Sequence, residues 1–157
     1  LVPIVRLETN LAAAQAALPN LKACTAALDS GVPAAEREFK RIFDEFSEGI
    51  SYKQQYRDKN AFLVYYTQGF DGAGRPSIET ESSTEVKQRE QFGARNEAWI
   101  GVDDARAEVA FLATHPPADD GDLKELRDAL RRALSATAAY LEQAPPELVA
   151  EARQLAR

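Results

Sequence analysis

Three features of this 157-residue chain predict an all-α fold, an up-and-down four-helix bundle with an extra short C-terminal helix and one long Gly-rich loop. Apolar residues recur at three- and four-residue spacing along successive stretches, the signature of amphipathic helices. Proline and glycine breaks separate those stretches. Alanine, the best helix former, is abundant, whereas valine, isoleucine and threonine, the residues that favour strands, are sparse. The length fits one domain spanning residues 1–157, and a domain of that size buries enough surface to fold without a metal or disulfide staple.

The first stripe runs through Ile4, Leu7, Leu11, Ala14, Leu18, Leu21, Thr25 and Leu28. Pro19 lies inside it and removes a backbone donor, so it should kink or split the helix at Leu18. The second helix is expected to open at Pro33, a favourable first helical residue, and to carry an apolar stripe of Phe39, Ile42, Phe43 and Phe46 as far as Gly49. The third is expected from about Ser51 to Gly69, with Tyr52, Tyr56, Leu63 and Tyr66 along one face. A glycine-rich stretch, Gly69 to Ser83, follows; loops this long are uncommon unless functional or mobile.

The fourth helix should begin near Thr84, with Ser82 and Glu85 at capping-box spacing, and end at His115 before Pro116 and Pro117. Its apolar positions are read as Phe92, Trp99, Ile100, Val109 and Leu112, with Gly93 and Gly101 as interior weak points that suit close backbone approach. The fifth is expected to start at Asp122, again box-like with Glu125, and to bury Leu123, Leu126, Leu130, Leu134, Thr137 and Leu141. After Pro145 and Pro146, a short last helix should present Leu148, Val149, Ala152 and Leu155 on one side.

Composition narrows the function. A net charge of -6 argues against nucleic acid as the main partner, because binding phosphates needs a basic surface. No apolar run is long enough to form a transmembrane segment. The single histidine excludes di-iron and multi-histidine zinc sites, and the single cysteine excludes an intrachain disulfide. His115 reads as a helix C-cap and Cys24 as a small core residue without a base to activate it. Asp119, Asp120 and Asp122 read as helix capping rather than a calcium loop, which would need a terminal glutamate at EF-hand spacing. Glu97, Asp104 and Glu108 read as a solvated face. No catalytic residue, cofactor site or metal site is expected. The chain starts at Leu1 and contains no methionine, which fits a cleaved targeting segment or a missing N-terminal stretch.

Two segments stand out as docking surfaces. Lys53 and Arg57 lie one turn apart beside Tyr52 and Tyr56, a positive aromatic face on an acidic protein; an ordinary amphipathic helix is the plainer reading. Phe70 and Arg75 are anchor-type residues in the glycine-rich stretch, which reads otherwise as a tight turn or Ω-loop. A P-loop is excluded there, because the stretch follows a helical pattern and lacks the lysine.

The runs Ser51-Tyr52-Lys53-Gln54-Gln55-Tyr56, Asn60 to Thr67, Gly69-Phe70-Asp71-Gly72 with Gly74-Arg75-Pro76, and Gln91 to Trp99 resemble the small helical lumenal extrinsic subunits of photosystem II from red-lineage algae, and more loosely the PsbQ-like bundles. The specific part covers about Ser51 to Trp99, and beyond it the likeness is that of a helical bundle alone. The resemblance implies a non-catalytic subunit in the chloroplast thylakoid lumen, peripheral to the membrane. Its partners would be the photosystem II core and neighbouring extrinsic subunits, and it would stabilise the oxygen-evolving centre without binding metal itself. No family binding residue carries over position by position. An assembly or repair factor of the same fold, or a bundle holding a small hydrophobic ligand, are the alternatives.

Overall fold

The computed structural model describes residues 1–47 and 83–156. The expected third helix, the glycine-rich stretch and the Ser82 cap lie outside them. The chain divides into two compact units, Leu1–Ser47 with Glu90–Arg157, and Glu48–Arg89. In the second unit the described part is helical, with Gln88 buried. All that follows concerns the first.

Among the described residues the structure is helical throughout, with no strand. The elements are α1 (Val2–Ala16), α2 (Leu21–Gly31), α3 (Glu36–Asp44), α4 (Ser83–Thr114), a 3₁₀ turn (Gly121–Leu123), α5 (Lys124–Leu141) and α6 (Pro146–Leu155). Helix α1 is central: it packs against α2, α5 and α6 and touches α3.

The α1 stripe is as expected, with Ile4, Leu7, Leu11 and Ala14 buried and Val5 beside them. Pro19 does split the first segment. Asn20 then starts α2 afresh, its side-chain oxygen accepting the Ala23 N–H at 3.1 Å. The restart also resets the helical phase. Cys24 and Leu28 are buried, while Thr25, expected in the stripe, is only half-buried.

Pro33 does not open α3. Val32 precedes a proline and is extended at φ -112, ψ 118, so the helix begins at Glu36, three residues later. Glu36 and Glu38 in its first turn and Arg41 in its last complement the helix dipole. Phe39 and Phe43 are buried as expected. Phe46 is not part of the buried stripe; it lies past the end of the helix and is 40 % exposed.

In α4 the expected apolar set is largely displaced. Leu112 is buried, but Trp99 and Val109 only pack at the margin and Ile100 is 37 % exposed. The inward line is Gln91, Ala98, Val102, Ala105 and Leu112, mostly small residues at a seven-residue beat. The cause is Gly101. A Cβ there would lie 2.6 Å from the Ala133 nitrogen and 2.8 Å from the Ala129 carbonyl oxygen, so α4 and α5 meet backbone to backbone. Large side chains cannot occupy such a seam. Around Gly93 there is open space.

The start of α5 also differs from expectation. Asp119, not Asp122, caps the turn: its carboxylate accepts the N–H of Gly121 at 2.7 Å and of Asp122 at 3.3 Å. The Asp122 carboxylate turns back to accept the Ala118 N–H at 2.7 Å. Leu123, Leu126, Leu130, Thr137 and Leu141 are buried as expected, whereas Leu134 is only half-buried. On α6 the expected apolar side faces the core only in part: Ala152 is buried and Val149 half-buried, whereas Leu148 and Leu155 are 48 % and 62 % exposed.

Candidate functional site

The docking residues read from the sequence, Tyr52, Lys53, Tyr56, Arg57, Phe70 and Arg75, all lie outside the described residues. The first stretch of the first unit ends at Ser47. Tyr140, on α5, is buried at the end of α3 and its hydroxyl donates to the Phe43 carbonyl at 2.7 Å. Ser47 Oγ lies 2.9 Å from the Tyr140 hydroxyl and 3.0 Å from the same carbonyl. The Phe43 ring meets Tyr140 edge-on at 4.9 Å. The next residue, Asp44, pairs with Arg95 of α4, whose guanidinium also lies 4.4 Å over the Phe92 ring.

The last carbonyls of a helix have no partner within it; that of Phe43 accepts the Phe46 N–H at 3.0 Å and, in addition, the Tyr140 and Ser47 hydroxyls. Tyr140→Phe should therefore lower stability by about 1–2 kcal/mol, because it leaves a buried carbonyl with one partner fewer. A urea titration would measure it, and a change below a few tenths would show that the hydroxyl carries no such load.

Arg106 is the second anchor. From α4 it donates to the carbonyls of Val32 at 2.6 Å, Pro33 at 2.8 Å and Leu28 at 3.4 Å. A cation thus closes the C-terminus of α2, where the dipole favours positive charge. Sequence reasoning passed over both anchors. The available signal was an arginine four residues after Val102 and three before Val109, on the inward half of α4, where a charge must find partners.

Other ionisable groups form ion pairs along the surface. Arg132 of α5 reaches Glu97 at 2.8 Å and Asp104 at 3.5 Å on α4, so two of the three carboxylates read as a solvated face clasp a neighbouring helix. Arg153 of α6 pairs with Glu8 of α1 at 3.1 Å. Hydrogen bonding from Arg127 holds the Asp120 carboxyl below its ordinary range, and Lys124 does the same for Asp128. The Asp119–Asp122 cluster is consumed in capping and in the Arg127 pair, which agrees with the capping reading.

Cys24 is fully buried, and burial pushes its thiol pKa up, away from nucleophilic thiolate. His115 is exposed past the end of α4. Its ring stacks on Phe111 at 4.4 Å and its Nδ1 lies 2.9 Å from the Thr114 hydroxyl. Its backbone N–H bonds the Phe111 carbonyl, which fits the C-terminal reading. Among the described residues no helix is long and apolar enough to cross a membrane, and no group of three or more His, Cys, Asp or Glu side chains is placed to hold a metal. Comparison with known proteins finds no family model, no curated protein and no solved structure that matches the chain.

Proposed function

We propose that the protein is a non-catalytic helical subunit that docks on a larger assembly. The observation that carries this reading is where the charge goes. The ion pairs fasten α3 to α4, α4 to α5 and α6 to α1. Charged side chains are thereby committed to holding a preformed scaffold, and preorganisation of this kind favours docking by lowering the ordering cost of association. In the finer form of the proposal the scaffold is an up-and-down four-helix bundle, with the segment from about Ser51 to Gly69 as its third long helix.

The resemblance over Ser51 to Trp99 supports naming the assembly. The proposed partner is the lumenal face of photosystem II with its neighbouring extrinsic subunits, in the chloroplast thylakoid lumen. There the protein would cover the oxygen-evolving centre and help stabilise it. Contacts come from the positive aromatic face of Tyr52, Lys53, Tyr56 and Arg57, and from Phe70 and Arg75. Opposite charge across such a contact accelerates encounter and makes binding salt-dependent.

The test is reconstitution onto photosystem II particles stripped of their extrinsic subunits. Saturable binding, with oxygen evolution sustained at lower calcium and chloride, is the expected result. Lys53→Glu with Arg57→Glu should weaken that binding by at least about tenfold at low salt, with helix content unchanged. Binding that ignores both substitutions at every salt concentration would remove this face from the contact. No binding to the stripped particles would overturn the photosystem reading itself.

A further inference from the structure

Helix α2 carries its charges the wrong way round for an isolated helix. Lys22 is in its first turn and Asp29 in its last. The positive end of the dipole therefore meets a cation and the negative end an anion. Neither side chain makes an ion pair among the described residues. Elsewhere charge is placed favourably: α3 begins with Glu36 and Glu38 and carries Arg41 in its last turn. Arg106 offsets the C-terminal end of the dipole through backbone carbonyls, but it leaves the Lys22 and Asp29 side chains themselves unpaired, and two unpaired charges of opposite sign on one helix suit a partner outside the unit.

Lys22 and Asp29 stand on the rim of a groove of about 480 Å³ between α2 and α4, with Thr25, Ala26, Val109 and Ala113 between and beside them. Thr25 spends its hydroxyl on its own helix, donating to the Leu21 carbonyl at 2.8 Å, so its methyl is free for contact. The four α2 positions follow helical spacing and share one face, and seven residues separate the two charges by about 10.5 Å along the axis.

We infer that this face pairs with a second copy of the chain across a two-fold axis, α2 lying antiparallel to its counterpart with Lys22 against Asp29 in both directions. The charge pairing fixes the register. An axis passing midway between Thr25 and Ala26 puts each Lys22 opposite the other chain's Asp29, and in the same stroke puts Thr25 opposite Ala26. The small central pair lets two helices approach closely. Antiparallel packing also sets each Lys22 beside the negative end of the other dipole and each Asp29 beside the positive end, so both misplaced charges are satisfied. An isologous contact must be self-complementary, and this face is. The inference is independent of the function proposed above.

The contact is small, so the dimer should be weak, with a dissociation constant of roughly 100 µM at low salt. Sedimentation equilibrium of the whole chain, at low and high ionic strength, tests it with three variants. Lys22→Asp and Asp29→Lys each place two like-charge pairs in the interface and should weaken the dimer by about tenfold or more. The double swap, Lys22→Asp with Asp29→Lys, restores both pairs and should return the affinity to within about threefold of the original chain. Each single reversal improves the match to the dipole of α2, so the folded monomer is not put at risk, and circular dichroism confirms it. A chain that stays monomeric at all concentrations overturns the proposal. So does a dimer indifferent to the single reversals, or one that the double swap fails to restore.

Discussion

Phe39→Ala is expected to cost about 4 kcal/mol, the largest loss from any single truncation considered for this protein. The Phe39 ring is fully buried, with Phe43 at 5.3 Å on one side and Trp99 at 5.4 Å on the other. Removing it takes away the transfer free energy of the ring and leaves a cavity at the α3–α4 contact, which fixed helices cannot close. For a domain of this size the midpoint of thermal unfolding should fall by about 12 °C. Trp99 is the sole tryptophan in the chain, so its fluorescence reports the same site and should shift to the red in the folded variant. Phe46→Ala is the internal comparison. Phe46 is 40 % exposed and its loss should stay under about 1 kcal/mol. Equal losses at the two positions would show that Phe39 is not the packed member.

Gly101→Val should be nearly as damaging, by about 3 kcal/mol, for the opposite reason. A Cβ at this position falls 2.6–2.9 Å from backbone atoms of Ala129 and Ala133. Backbone cannot swing aside as a side chain can, so α4 and α5 must separate along the seam of Ala98, Val102 and Ala105. Helix propensity, which favours any residue over glycine here by a few tenths to about 1 kcal/mol, is overwhelmed. Gly93, eight residues earlier on the same helix, has nothing within 4 Å of its added Cβ. There Gly93→Ala should stabilise by about 1 kcal/mol. Denaturant midpoints of the two variants should move in opposite directions. A stabilising Gly101 substitution would mean that the helices do not meet backbone to backbone.

The pair of glycines shows what a single sequence can and cannot convey. Helix content was legible, because Ile4, Leu7 and Leu11, like Leu123, Leu126 and Leu130, step by three and then four residues, which no strand keeps on one face. Pro19 was legible as a break. The inward line of α4 was not. The large residues Phe92, Trp99 and Ile100 dominate the pattern by size, whereas the seam is built from alanines and one glycine that carry little periodic signal. Caps were partly legible. The acidic run before α5 announced a helix start, yet three aspartates within four residues compete for that role, and backbone geometry chose Asp119. The exposed leucines of α6 misled because two prolines and a leucine stripe describe a buried helix and a surface one equally well. Of the candidate site, the docking residues lie in the segment outside the described residues. The two anchors, Tyr140 beside Ser47 and Arg106 at the end of α2, act through tertiary contacts more than seventy residues apart in sequence.

The Arg106 knot behaves differently from the Asp120 and Asp128 ion pairs when the medium turns acidic. Its partners are three carbonyl oxygens, which do not titrate. The pairs made by Asp120 and Asp128 depend on carboxylates whose pKa values folding lowers from an ordinary 3.8. Their contribution is complete above that ordinary value and is lost as pH falls through the lower folded one. Acid therefore loosens those two pairs, while the corner between α2 and α3 stays tied to α4. Added salt sorts the two classes the same way, since screening weakens exposed charge pairs far more than a part-buried guanidinium held by backbone dipoles. The corner that joins α2 to α3 is thus an acid-resistant hinge pin, set beside a rim of contacts that can let go.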